Sequence, residues 1–227
     1  FQNQYRSSGP LGSKMLEYSR DAVLPEMFAG IDYRKDGFIV GVGADVLTLT
    51  PRTQSTKGEL TYKVSERNVS ASLLAFASYS SEWWKLNAKT IYGQNNVHTL
   101  SLGGYGVTSI DPVTGAYDYV NFNHSTSWVN VVYGKKWQVG LFGGFTKNLG
   151  TNKPLVSSSM TYGMGMDIDK LYNMSVQTDY NIKNFTIGVE YSYSVADYGT
   201  IQTATGKVTN THAADNHRIA ALCNYSF

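Results

Sequence analysis

Along most of this chain apolar and polar residues alternate with a period of two, and a helical period is almost absent. Between 184 and 196, Phe185, Ile187, Val189, Tyr191, Tyr193 and Val195 share one face, while Thr186, Gly188, Glu190, Ser192, Ser194 and Ala196 share the other. The stretch 137–146 repeats this, with Trp137, Val139, Leu141, Gly143 and Phe145 opposite Gln138, Gly140, Phe142, Gly144 and Thr146. In the last twelve residues Ile219, Ala221, Cys223, Tyr225 and Phe227 alternate with Arg218, Ala220, Leu222, Asn224 and Ser226. Similar strands are predicted at about 24–35, 37–50, 67–81, 84–95, 123–133 and 171–181, with a partial one at 1–8, ten in all.

Their connections alternate in length. Short turns are expected at Lys35-Asp36-Gly37, Glu82-Trp83-Trp84, Gly134-Lys135-Lys136 and Asn181-Ile182-Lys183. Long loops occupy roughly 9–23, 51–66, 96–122, 147–170 and 197–215, rich in Gly, Thr, Ser, Asn and Asp. Short turns at one end and long loops at the other are the plan of an antiparallel transmembrane β-barrel, here about ten strands in a single domain, 1–227. The first hairpin unit is shorter than the rest, and the chain opens on Phe1-Gln2-Asn3 without Met or a leader. The expectation is therefore an N-terminally incomplete barrel that begins inside a strand.

Alternation alone does not say which face is wet, since a secreted β-sandwich would also alternate. Strands of ten to fourteen residues exceed those of ordinary sheets and suit a tilted bilayer crossing. Aromatic residues gather near strand ends, at Tyr33, Tyr79, Trp84, Tyr133, Trp137, Tyr180, Phe185, Tyr225 and Phe227, where an interfacial girdle would lie. The opposite face carries Glu26, Asp32, Asp45, Lys85, Lys89, Asp179, Glu190 and Arg218. An ion in a dry core costs several kcal/mol, whereas in a water-filled lumen it stays hydrated. The charged face is read as pore-lining.

Composition agrees. Charged residues are only 16% of the 227, with 19 Lys+Arg against 17 Asp+Glu, and aromatics reach 13%. Near-neutral charge without a basic run excludes a nucleic-acid footprint. Cys223 is the one cysteine, so no internal disulfide is possible, and on this register it faces lipid. His98, His124, His212 and His217 lack zinc spacing, and Asp167-Ile168-Asp169 lacks the further ligands of a Ca²⁺ loop. No cofactor is implied.

The segments "LGGYGVTSIDPVTG", "HSTSWVNVVYGKKWQVGLFGGFTKNLGT" and "NHRIAALCNYSF" resemble the C-terminal part of a Bacteroidota outer-membrane porin family related to DcaP-like porins. The resemblance implies a Gram-negative outer membrane of lipid and lipopolysaccharide, a barrel of about 16 strands, a homotrimer, and N-terminal strands that are missing or held in a companion chain. The terminal Tyr225 and Phe227 resemble the C-terminal signal read by the barrel-assembly machinery.

These residues lead to an expected diffusion porin for small hydrophilic solutes with a mixed-charge lumen and weak ion preference. The inward charges could equally be salt-bridge networks that stiffen the wall. Loop 96–122, with Gly103-Gly104-Tyr105-Gly106 and the turn-like Asp111-Pro112-Val113-Thr114-Gly115, either folds inward or closes over the outside. Met15, Leu16 and Val23 sit where a short helix is possible. The alternatives are a non-conducting accessory or scaffold barrel and an omptin-like rim protease. The protease would use Asp167-Ile168-Asp169 with Asp215-Asn216-His217, because a His polarised by a carboxylate is a competent base. The chain is expected not to be an enzyme.

Overall fold

Every predicted strand that falls within the described residues forms, in a computed structural model describing residues 8–13, 15–99 and 101–226, with the side chains of Ser13 and His98 excepted. The partial strand at 1–8 lies outside them except for Ser8. In chain order the elements are β1 (Ser8–Gly9), β2 (Gly12–Ser13), a one-turn helix α1 (Glu17–Arg20), β3 (Met27–Lys35), β4 (Phe38–Leu49), β5 (Gln54–Lys57), β6 (Leu60–Lys63), β7 (Asn68–Ser80) and β8 (Trp84–Gln94). A 3-10 turn (Asn96–Thr99) precedes β9 (Gly103–Ile110), β10 (Tyr117–Gly134), β11 (Trp137–Thr151), β12 (Thr161–Met164), β13 (Ile168–Ile182), β14 (Phe185–Ile201) and β15 (Val208–Tyr225). No helix is long and apolar enough to cross a membrane.

Nine long strands pair in the order β3-β4-β7-β8-β10-β11-β13-β14-β15, each antiparallel to the next. The fold is all-β, an antiparallel wall of the transmembrane-barrel type. The turn between β3 and β4 shows how sequence fixes register: Asp36 and Gly37 both take positive φ, 48° and 83°, the pattern of a two-residue type I′ hairpin. At Gly37 a Cβ would stand 2.4 Å from the Ser80 carbonyl oxygen, so this position requires glycine.

The pairings place each residue on one face or the other. Asp32, Gly41, Phe76, Lys89, Trp128, Gly144, Asn173, Ser194 and Asn216 form one row across all nine strands. The adjacent row is Arg34, Ile39, Ser78, Asn87, Asn130, Phe142, Ser175, Ser192 and Arg218. The opposite face carries the apolar rows, such as Tyr33, Val40, Ala77, Ala88, Val129, Gly143, Met174 and Tyr193. These apolar side chains are exposed, Val42 by 56%, Leu73 by 62% and Leu141 by 56%. The substantial contacts among the long strands run between nearest and next-nearest neighbours. No second sheet packs on the apolar face among the described residues, so the sandwich arrangement is not formed.

That face is bounded by two aromatic belts. At the short-turn end Phe38 stacks on Tyr79 (4.4 Å between centroids), Trp84 on Tyr133 (4.6 Å) and Trp137 on Tyr180 (5.5 Å). At the loop end Phe145 meets Tyr172 at 4.9 Å. The residue pairs Trp84 and Tyr92, Trp137 and Phe145, Tyr180 and Tyr172, Phe185 and Tyr193 are each eight positions apart on one strand. At ~3.3 Å per residue this is about 26 Å of strand, or roughly 20 Å of height at a 40° tilt, close to the apolar band of a barrel.

The loop end differs from expectation in length. β11 runs to Thr151 and β13 starts at Ile168, so the connection after β11 is shorter than 147–170. β14 and β15 pair out to Ile201 and Val208, which replaces the expected 197–215 loop with a turn. The polar Thr, Asn and Asp residues there are compatible with a ladder that projects past the belts into water. The long loop between β8 and β10 folds inward: Tyr105 of β9 buries against Leu47 and Leu49, which share the charged face of β4, and Tyr18 of α1 completes that cluster. A second cluster gathers Val120, Phe122, Leu155 and Met166 beside it.

β3 and β15 are the two edges, and nearly all their residues are exposed. With nine alternating strands these edges run in the same direction. They cannot pair antiparallel with each other, so antiparallel closure takes an odd number of further strands.

Candidate functional site

The period-two register does most of the positioning here, because a residue's parity decides its face. Asp32, Asp45, Lys85, Lys89, Asp179, Glu190 and Arg218 all fall on the face opposite the apolar rows. Glu26 precedes β3 at the same parity, two residues before Phe28. Structure therefore brings the predicted charges onto one surface, though not into one cluster.

Within that surface the charges are partly paired. Arg218 donates through Nη2 to Glu190 Oε1 at 2.8 Å, and Ser192 donates to the same oxygen at 3.0 Å. Arg34 Nε meets Asp32 Oδ2 at 2.5 Å, and Gln177 donates to Asp179 at 2.6 Å. Lys85 and Lys89 have no acidic partner within 4.0 Å among the described residues. The two lysines stand on β8, while Asp179 and Glu190 stand on β13 and β14. Three strand spacings, about 14 Å along the wall, separate β8 from β13. The two lysines thus stand apart from the carboxylates of β13 and β14, and Glu190 is already neutralised by Arg218.

On the same face the wall is concave from β10 to β15. A recess of about 590 Å³ is lined by Trp128, Asn130, Phe142, Asn173, Gln177, Glu190 and Arg218, with serines between them. Its chemistry is amide, hydroxyl and one ion pair around two aromatic rings whose centroids lie 6.2 Å apart. Such a surface hydrates readily and offers both donors and acceptors to a polar solute.

The folded-in loop is anchored by residues that no sequence pattern marks. Glu66 and Arg52, fourteen positions apart, form a buried pair with side-chain exposures of 1% and 12%. Arg52 Nε lies 3.0 Å from both Glu66 oxygens, and its Nη2 also donates to the Gly115 carbonyl at 2.8 Å. The Tyr117 N–H donates to Glu66 at 2.7 Å, the Tyr119 hydroxyl donates to it too, and the guanidinium lies 3.6 Å over the Tyr117 ring. Burial works against the Arg52 charge, but the Glu66 carboxylate outweighs it and holds the guanidinium above its ordinary pKa. At the hairpin tip the Asp111 carboxyl is held below the usual carboxylate range by the Thr114 N–H, then the Thr114 hydroxyl and the Val113 N–H. This tip is the turn read from Asp111-Pro112-Val113-Thr114-Gly115, with Gly115 at φ 70°.

The residues of the protease reading do not converge. Asp169 is held by Lys147 at 2.5 Å. His217 and Asp215 sit on β15, on the apolar side of the wall, with β14 between them and β13. There His217 Nδ1 lies 2.7 Å from the Tyr191 hydroxyl and Nε2 lies 3.3 Å from Asp215. Among the described residues no three His, Cys, Asp or Glu side chains gather as a metal site. Tyr225 ends β15 opposite Phe185 on the belt side, and Cys223 is exposed on the same side. Phe227 lies outside the described residues.

No family model matches this sequence, and no curated protein matches it. Among solved structures, OmpT (in-vitro folded), an outer membrane protein of Vibrio cholerae, is similar at a TM-score of 0.44 and 10% identity. The similarity covers 87% of this chain, which spans 63% of that one.

Proposed function

We propose that this chain forms wall of an outer-membrane porin through which small hydrophilic solutes diffuse passively, selected by size and weakly by charge. The observation that supports it is the division of faces across nine strands: exposed apolar rows between two aromatic belts, backed by a surface of paired ions, amides and hydroxyls. Lipid requires the first surface and water the second. Open strand edges do not survive in hydrocarbon, so further strands, an odd number of them, complete the cylinder between β15 and β3. A longer barrel, as in the Bacteroidota family the sequence resembles, meets that condition, and homotrimer assembly belongs to the same proposal. With 16 to 18 strands such a wall encloses an aqueous channel.

A second reading is a sealed accessory barrel. The inward fold of β9 and α1 over Leu47 and Leu49 favours it, since a plug at the mouth would block flow. Planar-bilayer recording separates the two. The porin reading expects stepwise ion currents from the purified native assembly; membranes that take up the protein yet stay silent support the sealed barrel.

A further inference from the structure

Four aromatic side chains break the alternation by standing on the wet face: Phe28, Phe76, Trp128 and Phe142. Three of them lie against glycines. A Cβ at Gly43 would stand 2.6 Å from Phe28 Cζ, one at Gly41 2.5 Å from Phe76 Cζ, and one at Gly144 3.2 Å from Phe142 Cζ. Each ring thus lies over neighbouring backbone, in the manner of aromatic rescue of sheet glycines, with its other side toward the lumen. The rings are continuous. Phe28, Phe76 and Trp128 line one recess of about 330 Å³, and Trp128 and Phe142 line the adjoining 590 Å³ recess.

From this we infer a binding track for polyhydroxylated solutes of the pyranose type. A pyranose ring has an apolar C–H face and a rim of hydroxyls. Flat aromatic faces match the first, and the amides of Asn130, Asn173 and Gln177 beside the Glu190–Arg218 pair match the second. In the 590 Å³ recess the one cation, Arg218, is already held by Glu190 at 2.8 Å, so a small anion finds no unengaged cation there; Lys89, in the adjoining recess, stands beside Phe76 and Trp128 without an acidic partner among the described residues. The track deepens the porin proposal and rests on its water-filled lumen.

The test titrates maltohexaose against the native assembly in two ways. In planar bilayers it should interrupt the ion current saturably, while polyethylene glycol of equal size should not. In detergent, calorimetry should show saturable binding whether or not the protein conducts. Trp128→Ala should raise the half-blocking concentration and the dissociation constant about tenfold, as expected for one lost ring contact. Phe76→Leu, which keeps the volume and removes the flat face, should raise both about threefold, and it decides the matter if Trp128→Ala does not fold. Binding in detergent without current would uphold the track and overturn the porin reading. Currents indifferent to maltohexaose, without calorimetric binding, would overturn the track alone, as would binding unchanged in the folded variants.

Discussion

Replacing Glu66 by Ala should release the inward loop while sparing the wall. The carboxylate accepts from the Arg52 guanidinium, the Tyr117 N–H and the Tyr119 hydroxyl, and its side chain is 1% exposed. Removing it leaves a guanidinium only 12% exposed with the Gly115 carbonyl as its remaining hydrogen-bond acceptor, and two orphaned donors beside it. Breaking a buried pair this way costs about 3–5 kcal/mol, equivalent to about two to nearly four orders of magnitude in a local opening equilibrium. Hydrogen exchange reads that equilibrium by segment. Amides of β9 and of β10 residues 117–121 should exchange at least about a hundredfold faster, while those of β14 between the belts stay as protected as before. Unchanged exchange in the loop, or an equal loss of protection throughout the wall, would refute the assignment of Arg52 and Glu66 as its lock.

Two other outcomes follow from the same geometry. Lys85→Gln with Lys89→Gln should move selectivity toward cations: a unit charge about 8 Å from an ion is worth ~0.5 kcal/mol in water and about half that after salt screening, so two charges acting oppositely on cation and anion change the permeability ratio about fivefold, read as a reversal potential. The Asp111 carboxyl, held below its ordinary range by its turn, should stabilise the β9–β10 tip fully above that range. The stabilisation is lost as pH falls through the lowered value. Exchange at Val113 and Thr114 should therefore accelerate only in acid, and Asp111→Ala should abolish the dependence.

The wall was legible in the sequence because a period of two carries orientation as well as element type. Once Ile187, Val189 and Tyr191 are assigned to lipid, Glu190 and Ser192 can only face the other way. Strand ends were less legible. Past the belts both faces meet water or loop, the contrast fades, and β10 and β14 continue unannounced to Tyr117 and Ile201. The Arg52–Glu66 pair left no trace, since two charges fourteen apart in a polar loop read as solvated. Aromatics on the charged face, such as Phe142, were visible as breaks in the pattern, and such breaks concentrate at functional surfaces.

The central claim is that the Val, Tyr and Phe rows meet acyl chains while their neighbours meet water. Val176 lies midway between Tyr172 and Tyr180 on β13, and Ser175 beside it points the other way. Folding stability of Val176→Arg and Ser175→Arg in lipid vesicles, by denaturant titration, compares the faces at one depth. The account predicts a loss of about 2–4 kcal/mol for Val176→Arg and under about 1 kcal/mol for Ser175→Arg. Equal losses, or the reverse order, would contradict it.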